Sequence, residues 1–282
     1  AVVDVGLERL AVVEDLLMRG LTYNLPNALG VTELQWVSVG KTGGAQRTMT
    51  PSARGEFQLP YREVHRLPIY LTTDDFSVGI RTLMASQRIG APIDTTLVQQ
   101  ATRRVNEAIE DAAINGAGLQ VGGYTTPGLL NAPNANTYNF IGAEAWDVVG
   151  HTGEEILADV LSMVDVLIAD KKYGPYTLYI PTTYDTKLSQ DFKANSDKSI
   201  RARLAEIANV RIKMADMLPT NTVVMIQNTS DVMDIVVGQT PTVVPWTSLD
   251  GFTLYWMVMA IMVPRVRHDI EDNSGIVIGT PS

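Results

Sequence analysis

The sequence contains no cysteine and only three histidines in 282 residues. Without cysteine, disulfide bonds, thiolate zinc sites and thiol nucleophiles are excluded, and the chain suits a reducing compartment. No histidine stands at helical spacing from another or beside a pair of carboxylates at ligand spacing, so we expect structural histidines. They are His65, His151 and His268. The sequence therefore predicts no metal site and no cofactor.

Basic charge is also scarce, because 22 Lys and Arg face 31 Asp and Glu, which gives a formal net charge of −9. A protein that grips nucleic acid through many phosphate contacts needs the opposite balance, so a general nucleic-acid-binding protein is disfavoured. With 45% hydrophobic and 19% charged residues, the composition is that of a folded globular chain of one large or two ordinary domains.

Long hydrophobic runs are missing as well. The longest uncharged apolar stretch, residues 251–264, is shorter than the ~20 residues that span a bilayer as a helix. It is typical of a buried strand. The start of the chain carries Asp4, Glu8, Glu14 and Asp15 where a secretory signal would be apolar, so we expect an arm or a helix there.

Catalytic motifs are absent or incomplete. Gly40-Lys41-Thr42 resembles the end of a phosphate-binding loop, but Gln35 stands where the first glycine is required. The glycines between 116 and 123 follow a predicted helix, whereas a dinucleotide-binding loop joins a strand to a helix. No Gly-x-Ser-x-Gly elbow is present, so we expect no enzyme. A catalytic triad whose members meet only in space stays an alternative.

Extended structure is indicated in the first quarter of the chain. Residues 1–33 carry apolar residues at helical spacing up to Gly20, which predicts an amphipathic arm. Residues 34–72 hold two strand-like legs around a glycine-rich stretch, which predicts a long hairpin with a soft tip. A two-stranded ribbon alone is marginally stable at best, so its legs should pack against something else. A neighbouring subunit is the natural candidate.

The rest of the chain mixes helices and strands. Residues 94–116 carry one apolar stripe and predict a long helix, and Thr152 with Glu155 forms a capping box that predicts the start of another. Residues 115–136 predict an irregular connector. The remaining segments are a strand at 176–180, a helix at 196–208, and short strands at VRIKM, TVVMIQ, MDIVVG and GIVIGT.

Four stretches of the sequence are similar to segments of one known protein family. They are HRLPIYLTTDDFSV, RRVNEAIEDAAINGAGLQVGGYTTPGLLN, GPYTLYIPTTYDTKL, and MDIVVGQTPTVVPW together with GIVIGT. In that order they resemble the exit from the extended loop, the spine helix with its turn, the axial-domain strand and helix, and the closing strands of the Hong Kong 97-type major capsid proteins of tailed bacteriophages. The encapsulins are related to the same family. The resemblance runs from about Trp36 onward.

The resemblance implies an α+β fold of the Hong Kong 97 type with four regions. The N-terminal arm would be residues 1–33 and the extended loop residues 34–72. The peripheral domain, with its long spine helix, would combine residues 73–150 and 239–282. The axial domain would be residues 151–238.

The resemblance also implies that the extended loop makes contacts between subunits, with residues 40–56 as the tip that reaches over an adjacent subunit. The residues available for these contacts are Trp36, Lys41, Arg47, Arg54, Glu56 and Phe57. Lys41 could also attack an asparagine of a neighbour with Glu56 as base, but a solvated or salt-bridged lysine is the simpler interpretation.

As a member of this family, the chain would be a shell protein that self-assembles through hexamers and pentamers into an icosahedral phage head around double-stranded DNA. It would be assembled in the host cytoplasm and located in the virion. Its net negative charge fits DNA that is contacted only non-specifically. Portal, scaffolding or decoration proteins would be further partners, and no membrane is expected. The alternative is an encapsulin-type nanocompartment around a cargo enzyme.

Many family members carry a scaffolding segment ahead of the arm, and none precedes Ala1 in this sequence. The resemblance therefore implies either proteolytic maturation before Ala1 or simple loss of an initiator methionine.

Overall fold

The computed structural model describes residues 10–40, 47, 49, 59–89, 93–193 and 197–281. The helices are α1 (Val12–Met18), α2 (Ile80–Ile89), α3 (Ile93–Asn115), α4 (Gly153–Ala169), α5 (Thr182–Leu188) and α6 (Ile200–Ile207). The strands are β1 (Thr22–Asn24), β2 (Glu33–Val39), β3 (Arg62–Pro68), β4 (Thr72–Gly79), β5 (Gln120–Val121), β6 (Tyr124–Thr125), β7 (Asn136–Asn139), β8 (Tyr176–Ile180), β9 (Val210–Met214), β10 (Val223–Gln227), β11 (Met233–Thr247), β12 (Thr253–Val266) and β13 (Ile276–Thr280).

A four-stranded sheet in the order β1–β11–β12–β4 supports the long helix α3. The helix lies where the apolar stripe predicted it, and its buried residues Ala101, Val105 and Ile109 recur every four positions. They meet a sheet face on which the buried residues of β12 alternate, as the period of a strand requires. The apolar run at 251–264 is thus a strand packed under α3, which confirms the prediction.

A five-stranded sheet in the order β7–β13–β10–β8–β9 lies between two hydrophobic cores. In β8, Tyr179 faces the core shared with α3, whereas Leu178 and Ile180 face the core under α4, α5 and α6. Strand β10 divides its side chains in the same way. Because both faces are covered, every residue of β8 and β10 is buried, and both strands consist mostly of apolar residues.

Helix α4 begins with the predicted capping box. The backbone N–H of Thr152 donates to Glu155 Oε2 at 2.7 Å, and the N–H of Glu155 donates to Thr152 Oγ1 at 3.3 Å. Two N–H groups that lack helical partners are thereby satisfied, so the sequence signature and the structure agree.

The N-terminal arm is fastened to the molecule by two buried carboxylates. Glu110 of α3 accepts hydrogen bonds from the backbone N–H groups of Ala11, Val12 and Val13 at 2.7 to 2.9 Å. Asp15 of α1 pairs with Lys213 of β9. Strand β1 follows α1 and joins the edge of the four-stranded sheet in parallel with β11. The predicted helix of the arm is therefore present as α1.

Three elements differ from the sequence prediction. Helix α2 was not predicted, because its described residues include none that is buried and its apolar stripe is short. The irregular connector contains a two-residue hairpin, β5–β6. The helix expected at 196–208 begins at Ile200, because the Ser199 side chain accepts the N–H of Ala202 and caps it there.

The predicted domain boundaries stay a prediction. The five-stranded sheet contains strands from segments assigned to both the peripheral and the axial domain. Strands β7 and β13 come from segments assigned to the peripheral domain and complete the five-stranded sheet. Strand β11 runs through the boundary at 238/239 and pairs with β12 on both sides of it. The chain therefore crosses between the two sheets several times.

Candidate assembly interface

Strands β2 and β3 form a two-stranded antiparallel ribbon, which is the base of the predicted hairpin. The register places Trp36 opposite His65 and Val37 opposite Val64. Since successive side chains of a strand point to opposite faces, the ribbon has an inner face with Trp36 and His65 and an outer face with Val37 and Val64.

The outer face of the ribbon exposes a patch of valines. Val37, Val39 and Val64 are 52%, 57% and 53% exposed. Val37 and Val64 are directly opposite each other, and Val39 is opposite Arg62, so the patch is continuous and has a basic border. β-branched side chains favour strands because they pack well on a pleated surface, which here lies open. A continuous apolar patch of this kind is typical of an interaction surface.

Other exposed apolar residues lie beyond the ribbon, toward the tip of the hairpin. The N–H of Gly40 donates to the carbonyl of Tyr61 at 2.8 Å, which extends the ribbon by one pair. Tyr61 and Leu59 beyond it are exposed. Exposed apolar residues therefore occur toward the tip as well, next to the exposed charged residues Arg62 and Glu63.

The inner face of the ribbon packs on the body of the same chain. Leu67 is buried with Val236 of β11 and Val263 of β12, and Leu34 and Trp36 pack against this small cluster. The rings of Trp36 and His65 stack with centroids 5.4 Å apart. The base of the hairpin is thus held in a fixed position, although its other face is open.

A buried arginine lies beneath Trp36. The guanidinium of Arg265 is 5.6 Å from the centre of the Trp36 ring and 4.7 Å from that of Tyr23 in the arm. Asp234 accepts two hydrogen bonds from Arg265, at 2.8 and 2.5 Å, and a third from Arg267 at 2.8 Å. Because a buried charge needs this kind of pairing, Asp234 fixes the arginine against which both the arm and the hairpin rest.

The structure places only part of the predicted contact set. Trp36 has its partners within its own chain, and Arg47 is exposed. The four others, Lys41, Arg54, Glu56 and Phe57, lie outside the described residues. The role of all six in contacts between subunits stays a prediction. Sequence analysis missed the valine face, because Trp36 next to Val37 breaks the alternation of apolar and polar residues that would mark it.

The hairpin differs in charge from the rest of the chain. Residues 34–72 contain five basic and two acidic residues, whereas the remaining positions contain 17 basic and 29 acidic residues. The apolar ribbon therefore belongs to a basic segment attached to an acidic body. Such a segment is electrostatically suited to the surface of a second copy.

A second exposed apolar region lies at the turn between β11 and β12. Leu249 and Phe252 are exposed there, and Trp246 stacks on Tyr255 with ring centroids 5.5 Å apart. The turn closes the β11–β12 hairpin of the sheet that carries α3, next to the pair formed by Thr247 and Leu254.

Asp159 is a buried carboxylate with several structural partners. Asp159 of α4 accepts hydrogen bonds from the Trp146 indole at 2.8 Å, the Tyr138 hydroxyl at 3.1 Å and the N–H of Ile141 at 2.8 Å. His151 lies 3.8 Å from the same carboxylate. Three hydrogen bonds to one buried carboxylate fix the start of α4 against the preceding loop, which is a structural role.

No group of three or more His, Asp or Glu residues in the described part of the chain is arranged to hold a metal ion. None of the helices, as far as they are described, has both the length and the apolar character to cross a membrane. The open cleft at the start of α4 has a volume of about 590 Å³ and is lined by polar groups of both charges, among them Lys187, Asp191 and Lys193.

A family model matches residues 15–279, which is nearly the whole chain. The chain belongs to DUF6260, a family of unknown function. Among curated proteins the sequence has no match.

Solved structures define the fold of this DUF6260 chain. The capsid of Myoviridae phage XM1 superposes with a TM-score of 0.75 at 14% identity, covering 100% of this chain and 96% of that one. The capsid of a native GTA particle gives a TM-score of 0.69 at 13% identity, covering 93% and 89%. A virus-like particle from Pyrococcus furiosus gives a TM-score of 0.64 at 18% identity, covering 94% and 97%.

The DUF6260 chain therefore has the Hong Kong 97-type capsid fold, related to that of the encapsulins, as the sequence resemblance predicted. The likeness covers 93 to 100% of the chain in these three comparisons.

Proposed function

We propose that this protein is the major shell protein of a tailed bacteriophage head. The observation that carries the proposal is the exposed valine face of the β2–β3 ribbon. The fold that presents this face is shared with two capsid subunits at 14% and 13% identity. A monomer gains nothing by exposing this face, whereas a shell subunit can bury it against a neighbour.

The ribbon supplies affinity through repeated burial of its outer face. Covering the exposed halves of three valines contributes on the order of 1 kcal/mol each, which is weak for one contact. In a closed shell every subunit makes the same contact, and several weak interfaces act together. The tip residues Lys41, Arg47, Arg54, Glu56 and Phe57 add contacts beyond the ribbon.

Electrostatics gives the contact its orientation. The basic hairpin of one subunit fits an acidic body better than it fits another hairpin, which favours a head-to-tail arrangement of copies. A heterologous contact of this kind closes into rings, as hexamers and pentamers require. We infer that hexamers and pentamers of this chain build an icosahedral shell and that the role is structural, with no catalytic step.

The contents of the shell distinguish the two candidate functions. In the phage head the shell encloses double-stranded DNA, and a net charge of −9 keeps the subunit from holding DNA tightly. Portal, scaffolding and decoration proteins are its further partners, and assembly takes place in the host cytoplasm. In the alternative, an encapsulin-type compartment, the inner surface holds a cargo enzyme. The structural likeness to the Pyrococcus furiosus particle favours keeping this alternative.

Electron microscopy of the purified full-length protein tests the proposal, combined with nucleic-acid extraction from the particles. We expect closed, regular shells. Particles from infected cells with DNA and a single tail vertex support the phage head, and particles that retain an enzyme without DNA support the encapsulin-type alternative. A species of about 31 kDa at all concentrations, salts and pH values contradicts both, because neither exists without assembly.

A further inference from the structure

The inner face of the ribbon ends in a contact between two histidines. His65 of β3 meets His268, two residues after the end of β12, edge to face with ring centroids 5.2 Å apart. His65 is also stacked on Trp36 across the ribbon. The pair therefore joins the hairpin to the body where the hairpin leaves it.

The surroundings of His65 favour the neutral imidazole. Its Nε2 is buried and has no hydrogen-bond partner among the described residues. Burial lowers the pKa of His65, the proximity of His268 lowers it further, and Glu63 opposes both. Neutral imidazole loses less solvation in such a place than imidazolium does.

His268 sits in a polar loop on the other side of the contact. Its Nδ1 lies 3.0 Å from the carbonyl oxygen of Asp269 and 3.3 Å from Nδ2 of Asn134. Asn134 also donates to Asp272 at 2.8 Å. The position of His268 is thus set by the loop and not by the ribbon.

Charged groups of both signs lie around the pair. On the basic side are Arg265, which lies over Trp36, and Arg267, and both are bound by Asp234. On the acidic side, Glu63 stands two residues from His65 on the ribbon, while Asp269 and Asp272 belong to the loop. A cleft of about 330 Å³, lined by Glu63, His65 and His268, leads from solvent to the contact.

We propose that the His65–His268 contact is a proton-sensitive hinge that holds the hairpin on the body while both imidazoles are neutral and loosens the hairpin when both carry a proton. The neutral rings attract each other edge to face. Two imidazolium ions 5.2 Å apart repel each other. The ribbon rests on the body through a small apolar cluster and the ring contacts of Trp36 and His65, so repulsion at His65 weakens one of its few attachments.

The hinge determines how firmly the hairpin is held on the body of its own chain, and it does not depend on what the shell contains. Its consequence for assembly rests on the function proposed above, because only a shell subunit uses the hairpin to reach a neighbour. In that case acid frees the hairpin to change its angle to the body.

Hydrogen–deuterium exchange of the full-length chain tests the hinge at about pH 5 and about pH 7.5, with the assembly state verified as equal by sedimentation. After correction for intrinsic rates, we expect amides of β2 and β3 to exchange at least about tenfold faster at the lower pH, while β8 and β10 do not change. In the variants His65→Gln and His268→Gln the acceleration falls below about twofold. His151→Gln, which changes the third histidine, keeps it.

A wild-type ribbon whose corrected exchange changes by less than about twofold overturns the proposal, as does an equal acceleration in both glutamine variants. If a variant fails to fold, side-chain NMR of the wild type replaces it. Both imidazoles must then titrate over the same pH range in which ribbon exchange rises, and a different range rejects the hinge. Exchange is measurable whether or not shells form, so a failure of the proposed function leaves this result separate.

Discussion

Two buried carboxylates, Glu110 and Asp15, hold the N-terminal arm, and their pKa values are shifted in opposite directions. Burial raises the pKa of Glu110, and the hydrogen bonds from Val12, Val13 and Ala11 reduce that increase without cancelling it. For Asp15 burial also acts upward, but the hydrogen bond from Lys213 and the charges of Arg19 and Lys213 outweigh it, so its pKa is lowered. Glu110 satisfies the free N–H groups at the start of α1, and Asp15 holds the helix to β9.

Replacing Glu110 by glutamine tests the first of these attachments. A glutamine side chain has only one acceptor oxygen, so Glu110→Gln leaves at least one buried N–H group of residues 11–13 without a partner. We expect a loss of about 1 to 3 kcal/mol in the free energy of unfolding, measured in urea at neutral pH. Trypsin should also cleave faster after Arg19.

Asp111→Asn on the next position of α3 is the matched control, because this side chain is exposed and should change stability by less than about 0.5 kcal/mol. Equal stability of the Glu110→Gln and Asp111→Asn variants would show that the arm is held by other contacts.

Asp15 predicts a specific pH dependence. Its folded-state pKa is lowered, so its contribution to stability is present above the ordinary value of 3.8 and is lost as the pH falls through the folded-state pKa. Asp15→Asn should therefore cost about 3 kcal/mol at neutral pH, and the difference from the wild type should shrink in acid. Chemical unfolding at a series of pH values measures this.

Glu154→Gln, which removes an exposed partner of Lys193, provides the comparison and should change stability by less than about 1 kcal/mol at every pH. A difference between wild type and Asp15→Asn that stays constant down to acid pH would mean that the carboxylate charge is not the cause.

At the scale of the elements, the ribbon is a hairpin base whose inner face packs on the body and whose outer face exposes three valines. The inner face explains why the hairpin has a defined position, and the outer face is the surface that the proposed shell would cover. Sequence analysis recognised the two legs and their need for packing. It could not separate the faces, because the register that pairs Val37 with Val64 depends on residues far apart in the sequence.

Val64→Asp places a carboxylate in the centre of the open valine face. Since Val64 is half exposed in the subunit, the free energy of unfolding should change by less than about 1 kcal/mol. In a shell the same carboxylate would be buried without a partner, which costs several kcal/mol per contact. We therefore expect at least a tenfold loss of assembled particles, measured by sedimentation and microscopy.

Val149→Asp is the control for charge alone, because Val149 is 99% exposed in a loop away from the ribbon. Val64→Thr keeps the shape and the strand preference and should reduce assembly less than the aspartate does. Normal yields of shells from Val64→Asp would remove the ribbon from the interface.

At the scale of the whole molecule, two electrostatic effects act on assembly. In the proposed shell, subunits with a net charge of −9 would repel each other at long range, whereas the basic hairpin would attract an acidic neighbour at short range. Salt screens long-range interactions more than contacts that exclude water, because the Debye length is about 10 Å at 0.1 M. As the salt concentration rises, the repulsion between subunits should therefore weaken before the attraction of the hairpin does.

We expect the rate of shell formation, followed by light scattering, to rise at least about threefold between about 0.05 and 0.3 M salt. The Val64→Asp subunit, measured alongside, should remain slow at both salt concentrations, since its defect is local. A rate that falls with salt would mean that hairpin attraction dominates from the first encounter.

The amino-acid sequence by itself determined which segments are helices and strands wherever a period or a cap is local. The spine helix α3, the capping box of α4 and the buried runs of β8 and β10 are examples, and the similarity of ordered segments was enough to predict the fold. Helix α2 was not predicted, because it has little apolar character of its own and depends on its packing against α3 and β4.

Only the tertiary structure decided which side chains meet. The arm's dependence on Glu110, which is almost a hundred residues away, the inward position of Trp36 and the meeting of His65 with His268 all arise from long-range contacts. A local sequence pattern records the period of one element and not the partner that it packs against. For that reason the exposed face of the ribbon could be identified only from the structure, which shows that the other face packs on the body.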